Sequence, residues 1–238
     1  MSAFAALLFS PIVAGATQLT FEQIRSGGVV YSAFNDGVVP QDYGDRVTGL
    51  TQNVPGGVFT YGNLGEGFTP NIEISYGPYP ESASVWWDTF GDLSHVLWNN
   101  VRASFQITLV ADPGYLAQLH GFDLAGWPNS DYSIGGIEIL DGNGSLLFSQ
   151  ANVHVEGDLN GPRHSHFEFA ELRAETLLIH IDATNLYSYY LNIGFDNLRF
   201  SQLRAGPNPA PERTPEPNAA ILFSVALLVA KFGRRRRS

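Results

Sequence analysis

The residues best equipped for chemistry in this 238-residue chain lie in one short run, His164-Ser165-His166-Phe167-Glu168-Phe169. Alternation along a β-strand puts His164, His166 and Glu168 on one face, with Phe167 and Phe169 on the other. Two imidazoles and a carboxylate on one face form a donor set for Zn, Fe or Mn. The plainer reading of the same alternation is a solvated strand face whose phenylalanine side is core. Glu171 falls off the histidines' face unless the strand bulges. His95, His120, His154 and His180 have no partner visible from the sequence.

The spacing of His164, His166 and Glu171 resembles the first metal motif of the cupins, which are metal-binding jelly rolls. That resemblance implies a metal-dependent enzyme with these three residues as ligands. The chain departs from the pattern in three places: Gly157 is one residue out of step, no glycine follows at the expected distance, and no second motif is visible.

Other catalytic signals are weaker. No G-x-S-x-G elbow occurs, and spacing assembles no Ser-His-Asp set. Glu66, Glu73, Asp88 and Asp92 sit in loop-like stretches with nothing to separate them from solubilising acids, although carboxylate pairs for glycoside hydrolysis meet in space rather than in sequence. The stretch from Gly62 to Gly67 lacks the Lys-Ser/Thr of a phosphate loop. Cysteine is absent, which removes disulfides, thiol nucleophiles and thiolate metal ligands.

Aromatics offer binding rather than catalysis. Trp86 and Trp87 are adjacent, so in a strand they point to opposite faces and one of them is exposed to meet a sugar ring. Trp98, Trp127 and the tyrosines at 187, 189 and 190 add to the aromatic content, although tryptophan in a sandwich mostly fills core space.

These side chains must be positioned by strands. Segments such as SFQITLVAD, GIEILD, SLLFSQ, HSHFEFA, TLLIHID and NIGFDNLRF are short, alternating or apolar, and separated by turn residues. Asp141-Gly142-Asn143-Gly144 reads as a tight hairpin turn that sends Ile137 and Ile139 to the core and Glu138 to water. Residues 38–80 are rich in glycine and proline and read as long loops with short edge strands. No internal repeat is present. The predicted fold is an all-β jelly-roll β-sandwich over residues 17–203.

The ends of this body, Leu19-Thr20-Phe21-Glu22 and Gly194-Phe195-Asp196-Asn197-Leu198-Arg199-Phe200, resemble the first and last strands of galactose-binding-like jelly rolls, including carbohydrate-binding modules. The resemblance implies a structural calcium held by Glu22 and Asp196, with backbone carbonyls completing an oxygen shell.

Two terminal segments address the protein. Residues 2–14 are apolar and Ala14-Gly15-Ala16 has the small-x-small form of a signal-peptidase site, so residues 1–16 read as a signal peptide and Thr17 as the first mature residue. No lysine or arginine precedes the run, and a buried first strand is the other reading. At the far end, residues 204–217 form a Pro-rich linker, and 218–238 an apolar run followed by arginines. Residues 219–230 are uncharged, and with Asn218 and the stretch to Gly233 the run of about sixteen residues makes a helix of about 24 Å, short of a bilayer core of about 30 Å. The arginine stems can snorkel to supply the difference, and their charge marks the cytoplasmic side, so this segment is predicted to be a C-terminal transmembrane helix.

Pro215-Glu216-Pro217, the apolar segment and Arg234, Arg235, Arg236 and Arg237 together resemble the PEP-CTERM sorting signal of exported proteins in Gram-negative bacteria that make exopolysaccharide. Lys231 near the end of the apolar part departs from that pattern. The resemblance implies inner-membrane anchoring, an exosortase partner that processes the tail, and a destination at the cell surface or in the extracellular matrix.

Composition narrows the partners. Charged residues are 15% of the chain, against about 25% in average soluble proteins, so polar surface comes from Gly, Ser, Thr, Asn and Tyr. Apart from Lys231 and the terminal arginines, eight arginines stand against 23 acidic side chains. Such a surface repels phosphate backbones, which excludes nucleic acid as a partner. The expectation is an exported, non-catalytic, polysaccharide-binding protein. The alternatives are a cupin-like metal-dependent enzyme and a matrix component without a ligand.

Overall fold

The structure, a computed structural model, describes residues 15–21, 24–26, 29–31, 37–49, 51–54, 57–60, 67–77, 84–86, 88–98, 104–186 and 191–206. In chain order the strands are β1 (Thr17–Leu19), β2 (Ile24–Ser26), β3 (Val29–Tyr31), β4 (Gly37–Val38), β5 (Val47–Thr48) and β6 (Thr51–Val54). Next come β7 (Gly57–Thr60), β8 (Phe68–Thr69), β9 (Ile72–Gly77), β10 (Ser84–Trp86), β11 (Val96–Trp98) and β12 (Phe105–Ala111). The long strands follow: β13 (Tyr115–Trp127), β14 (Tyr132–Asp141), β15 (Leu146–Val155), β16 (Ser165–Ala174), β17 (Thr176–Asp182) and β18 (Asn192–Arg204). A single 3-10 turn, Thr184–Leu186, is the helical content among the described residues.

Two antiparallel sheets make the sandwich. One has the order β16-β13-β18-β11-β10-β4, with β1 also paired to β18; the other runs β15-β14-β17-β12-β9. Strand alternation drives their facing sides together. In β12, Phe105, Ile107 and Leu109 are buried; in β17, Leu177, Ile179 and Ile181 are. Phe105 of one sheet meets Phe195 of the other edge to face, with ring centres 5.6 Å apart. Fully burying each such side chain contributes roughly 1.5–3 kcal/mol.

The hairpin at Asp141 forms as predicted, because Asp141 Oδ1 accepts from the backbone N–H groups of Asn143 and Ser145, each at 2.8 Å. Gly144 takes the positive φ of +80° that the turn requires. Ile137 and Ile139 are buried and Glu138 is exposed. Strand β15 runs on to Val155, beyond the SLLFSQ stretch legible in the sequence.

β13 is the strand that alternation does not reveal. From Gly121 to Gly126 every residue is buried, because the outer side of the sheet has its own cover. Phe90, Leu93, Val96 and Ala125 form a satellite cluster there, with Trp98 and Trp127 packed against it. Ala125 pairs with Gly194, and a Cβ on Gly194 would stand 2.5 Å from Val96 and 2.7 Å from Phe90. Two small residues side by side thus make room for the loop that carries Phe90.

The chain divides into two units, Met1–Arg204 and Ala205–Ser238. Of the second, only Ala205 and Gly206 are described, so the segment that resembles a PEP-CTERM signal, with the transmembrane helix predicted for it, lies outside the described residues. The same is true of residues 1–14, Glu22, Trp87, Tyr187, Tyr189 and Tyr190. Among the described residues no helix is long and apolar enough to cross a membrane.

Candidate functional site

The His-x-His strand meets β13, and β13 meets β18, so side chains on their outer face form one row. Asp123 pairs in register with His166 on β16 and with Asp196 on β18. Asp123 is only 6% exposed and Asp196 only 5%, burial that an acid tolerates when hydrogen-bonded or paired. Asp123 meets that condition: Oδ1 contacts His166 Nδ1, and Oδ2 accepts from Asn197 Nδ2 at 2.8 Å. Asn197 sits at a bulge with φ of +53°, and its Oδ1 accepts from Gln18 Nε2 at 2.8 Å, tying β1 into the same network.

The other ring nitrogen, His166 Nε2, lies 3.1 Å from Glu168 Oε1 and 3.1 Å from Arg199 Nη2. Arg199 Nη2 also donates to Glu168 Oε1 at 3.2 Å. When the ring is charged, Nε2–H donates to Glu168. When it is neutral with its proton on Nδ1, Nε2 accepts from Arg199. The Asp123 and Glu168 carboxylates hold the imidazole's pKa above its ordinary value, with burial and Arg199 opposing. His166 and Arg199 in turn hold Glu168 below the usual carboxylate range. The result is an alternating chain of charges, Asp123, His166, Glu168 and Arg199, laid across three strands.

Gly121 allows the last link. It lies opposite Glu168 on one side and Arg199 on the other, and its missing side chain leaves the gap that Arg199 crosses. A Cβ there would stand 2.3 Å from the Phe167 carbonyl oxygen and 2.9 Å from Arg199 Nη2.

His164 is held elsewhere. Its Nδ1 is 2.8 Å from Asp92 Oδ1, on the loop that carries Phe90. Gly91 brings that loop against Arg163, whose carbonyl oxygen would lie 1.7 Å from any Cβ at this position. The two histidines therefore take separate carboxylates. Glu168 is the acid that meets His166. β16 does bulge: Leu119 pairs with Leu172 and Gly121 with Glu168, so three residues of β16 stand opposite His120. Glu171 is exposed within that bulge. Among the described residues, no group of three His, Asp or Glu side chains is arranged to hold a metal ion.

Beside the bulge is an open depression of about 480 Å³ lined by Ala16, His120, Glu168, Phe169, Ala170 and Arg199. His120 Nε2 is 2.8 Å from Ser201 Oγ, and burial followed by the nearby Arg199 keeps its pKa below the ordinary value. A guanidinium, a carboxylate and a neutral imidazole around one hollow suit hydroxyl-bearing ligands, whose groups both donate and accept.

Three other expectations find a place. Asp196 is in β18, where its Oδ1 accepts from Asn197 N at 2.7 Å. Trp86 ends β10. His154 and His180 lie 3.9 Å and 3.8 Å from Asp131 and Glu138, long contacts on exposed side chains. Sequence reasoning missed Asp123 and left Asp92 among the solubilising acids. The available signal for Asp123 was its isolation in Gly121-Phe122-Asp123-Leu124-Ala125, since an acid amid apolar neighbours on a strand is a buried acid with a partner. Comparison with family models, with curated proteins and with solved structures returned no match, so the site rests on its own geometry.

Proposed function

We propose that this chain is an exported cell-surface or extracellular-matrix protein with a non-catalytic jelly-roll body and polysaccharide as its ligand class. A signal peptide delivers it and a PEP-CTERM tail, the substrate of an exosortase, holds it in the membrane before processing. One observation favours this reading over the cupin-like metal enzyme: both nitrogens of His166 are engaged, and Arg199 stands 3.1 Å from Nε2, where a metal would have to be. The four charges tie β16, β13 and β18 together.

Supporting the galactose-binding-like jelly roll is the pairing of the two terminal strands, Thr17 with Phe200 and Leu19 with Leu198. β1 runs toward the Asp196 end of β18, the direction a calcium site built from Glu22 and Asp196 needs. Asp196 fits as a ligand by its chemistry, a buried carboxylate at a strand bulge. Calcium would there supply charge neutralisation and cross-link the first and last strands. For polysaccharide, the depression between His120, Glu168 and Arg199 offers the donors and acceptors, with Trp86 and Trp87 as the aromatic candidates. Cleavage after Ala16 takes away one wall of that depression and leaves Thr17, buried at the start of β1, as the first residue.

The test uses the full-length chain in detergent, assayed for bound metals and co-sedimented with exopolysaccharide. Expected are retention by polysaccharide that weakens in Arg199→Ala, and a melting temperature that falls on calcium chelation. Stoichiometric Zn, Fe or Mn that disappears in His166→Ala overturns this reading in favour of the cupin-like enzyme. Loss of both polysaccharide retention and the calcium effect leaves a purely structural matrix protein.

A further inference from the structure

Given polysaccharide as the ligand class proposed above, on which this step rests, we infer that the polymer held in the depression is uncharged. Neighbouring hydroxyls of one sugar unit are set between the Glu168 carboxylate and the Arg199 guanidinium.

Arg199 is the permanent cation lining the depression, and its charge is already answered there. Its Nη2 donates to Glu168 Oε1 at 3.2 Å, and His166 and Arg199 keep Glu168 ionised by holding its pKa below the usual carboxylate range. His120 adds no charge at neutral pH, because burial and then Arg199 keep its pKa below the ordinary value. A uronate, sulfate or phosphate group entering the depression therefore meets a carboxylate wherever it meets the guanidinium. The surroundings act in the same direction: apart from Lys231 and the terminal arginines, eight arginines stand against 23 acidic side chains, an excess that repels polyanions.

Hydroxyls fit what is left. The contacts among His166, Glu168 and Arg199 run through Nη2 of the arginine and Oε1 of the glutamate. Among the described residues, Nε and Nη1 of Arg199 and Oε2 of Glu168 have no side-chain partner, and both side chains reach solvent. Arginine can only donate and an ionised carboxylate can only accept, whereas a hydroxyl does both. Of two adjacent hydroxyls, one donates to Glu168 while the other accepts from Arg199. An anionic group brings acceptors alone and leaves Glu168 opposed to it, so the pair that holds a diol also rejects a charged competitor. Because the depression is open, an internal stretch of a long polymer can lie across it.

The test sets each neutral polymer beside its charged derivative. The full-length chain in detergent is co-sedimented with bead-coupled dextran, cellulose and galactan, each paired with its sulfated form. The expected result is retention by a neutral polymer that changes less than about twofold between about 0.05 and about 0.5 M NaCl, a range over which salt screens attraction between exposed charges. The sulfated partner should be retained about tenfold less. Glu168→Gln keeps the shape of the side chain and frees the Arg199 charge. It should lose about tenfold in neutral retention, the scale of a hydrogen bond to a charged group, and raise the ratio of sulfated to neutral retention. Should that variant fail to fold, Arg199→Gln serves in its place, and should lose neutral retention without gaining sulfated retention. Stronger retention by a sulfated polymer that falls as salt rises, or an unchanged ratio in Glu168→Gln, overturns the inference and leaves the polysaccharide reading standing. Retention by none of these polymers overturns both.

Discussion

Arg199 reaches Glu168 across the bare backbone of Gly121, with Nη2 and Oε1 3.2 Å apart on strands that are not neighbours. The contact joins β18 to β16 over β13, and it exists only because the intervening position has no side chain. Its own worth is small, since Glu168 is 69% exposed and water screens the pair. The tight packing at Gly121 matters more than the charges it lets meet.

Gly121→Ala should therefore destabilise the body more than Glu168→Gln does. The new methyl meets the backbone oxygen of Phe167, which cannot rotate away, and overpacking of this kind costs about 1–3 kcal/mol. Each kcal/mol lowers the melting temperature of a domain this size by roughly 2–4 °C. Thermal melts of the two variants, followed by circular dichroism, check the order. Equal melting of Gly121→Ala and the parent chain would refute the packing argument.

The His166 ring should add stability that depends on pH. Its folded pKa is raised by Asp123 and then by Glu168, so the folded state binds the proton more tightly than the unfolded one. The contribution is full below the ordinary value of 6.5 and is lost as pH rises through the raised value. The difference in melting temperature between the parent and His166→Gln should narrow as pH increases above neutrality. NMR titration of the ring should give a midpoint that drops in Asp123→Asn; an unchanged midpoint would remove Asp123 as the cause.

Asp45 titrates in an adjoining window. Burial pushes its pKa from 3.8 up to about 7, with the hydrogen bond from Ile74 N opposing. Stability from this group is present below 3.8 and declines as pH climbs toward about 7, because the unfolded chain releases the proton first. Asp45→Asn keeps an acceptor for Ile74 N and carries no charge. It should flatten the pH dependence of melting between these limits and melt higher than the parent at pH 8. A variant whose pH profile parallels the parent's would show that Asp45 is ionised throughout.

Much of the sandwich was written in local pattern. Where one face is core and the other water, as in β12, β14 and β17, alternation alone places Ile107, Ile139 and Ile179 inside and His180 outside. The Asp141 turn was equally legible, because its chemistry lies within five consecutive residues. The phenylalanines of β16 also turn toward the core as their spacing requires.

Pattern failed where a strand is covered on both sides or where partners are distant in the chain. From Gly121 to Gly126 β13 shows no alternation in burial, because the Phe90 cluster covers Ala125 and the His166 and Asn197 side chains cover Asp123. The partners of the two histidines come from positions 43 and 72 residues away, and no spacing rule reaches that far. Sequence thus determined which segments become strands and which side of each is apolar, since those are matters of local period. Only the tertiary structure decided that His164 and His166 take different aspartates, and that Gly121 opens a path for Arg199. Each of these depends on which strands lie side by side, a choice made by packing the whole sandwich.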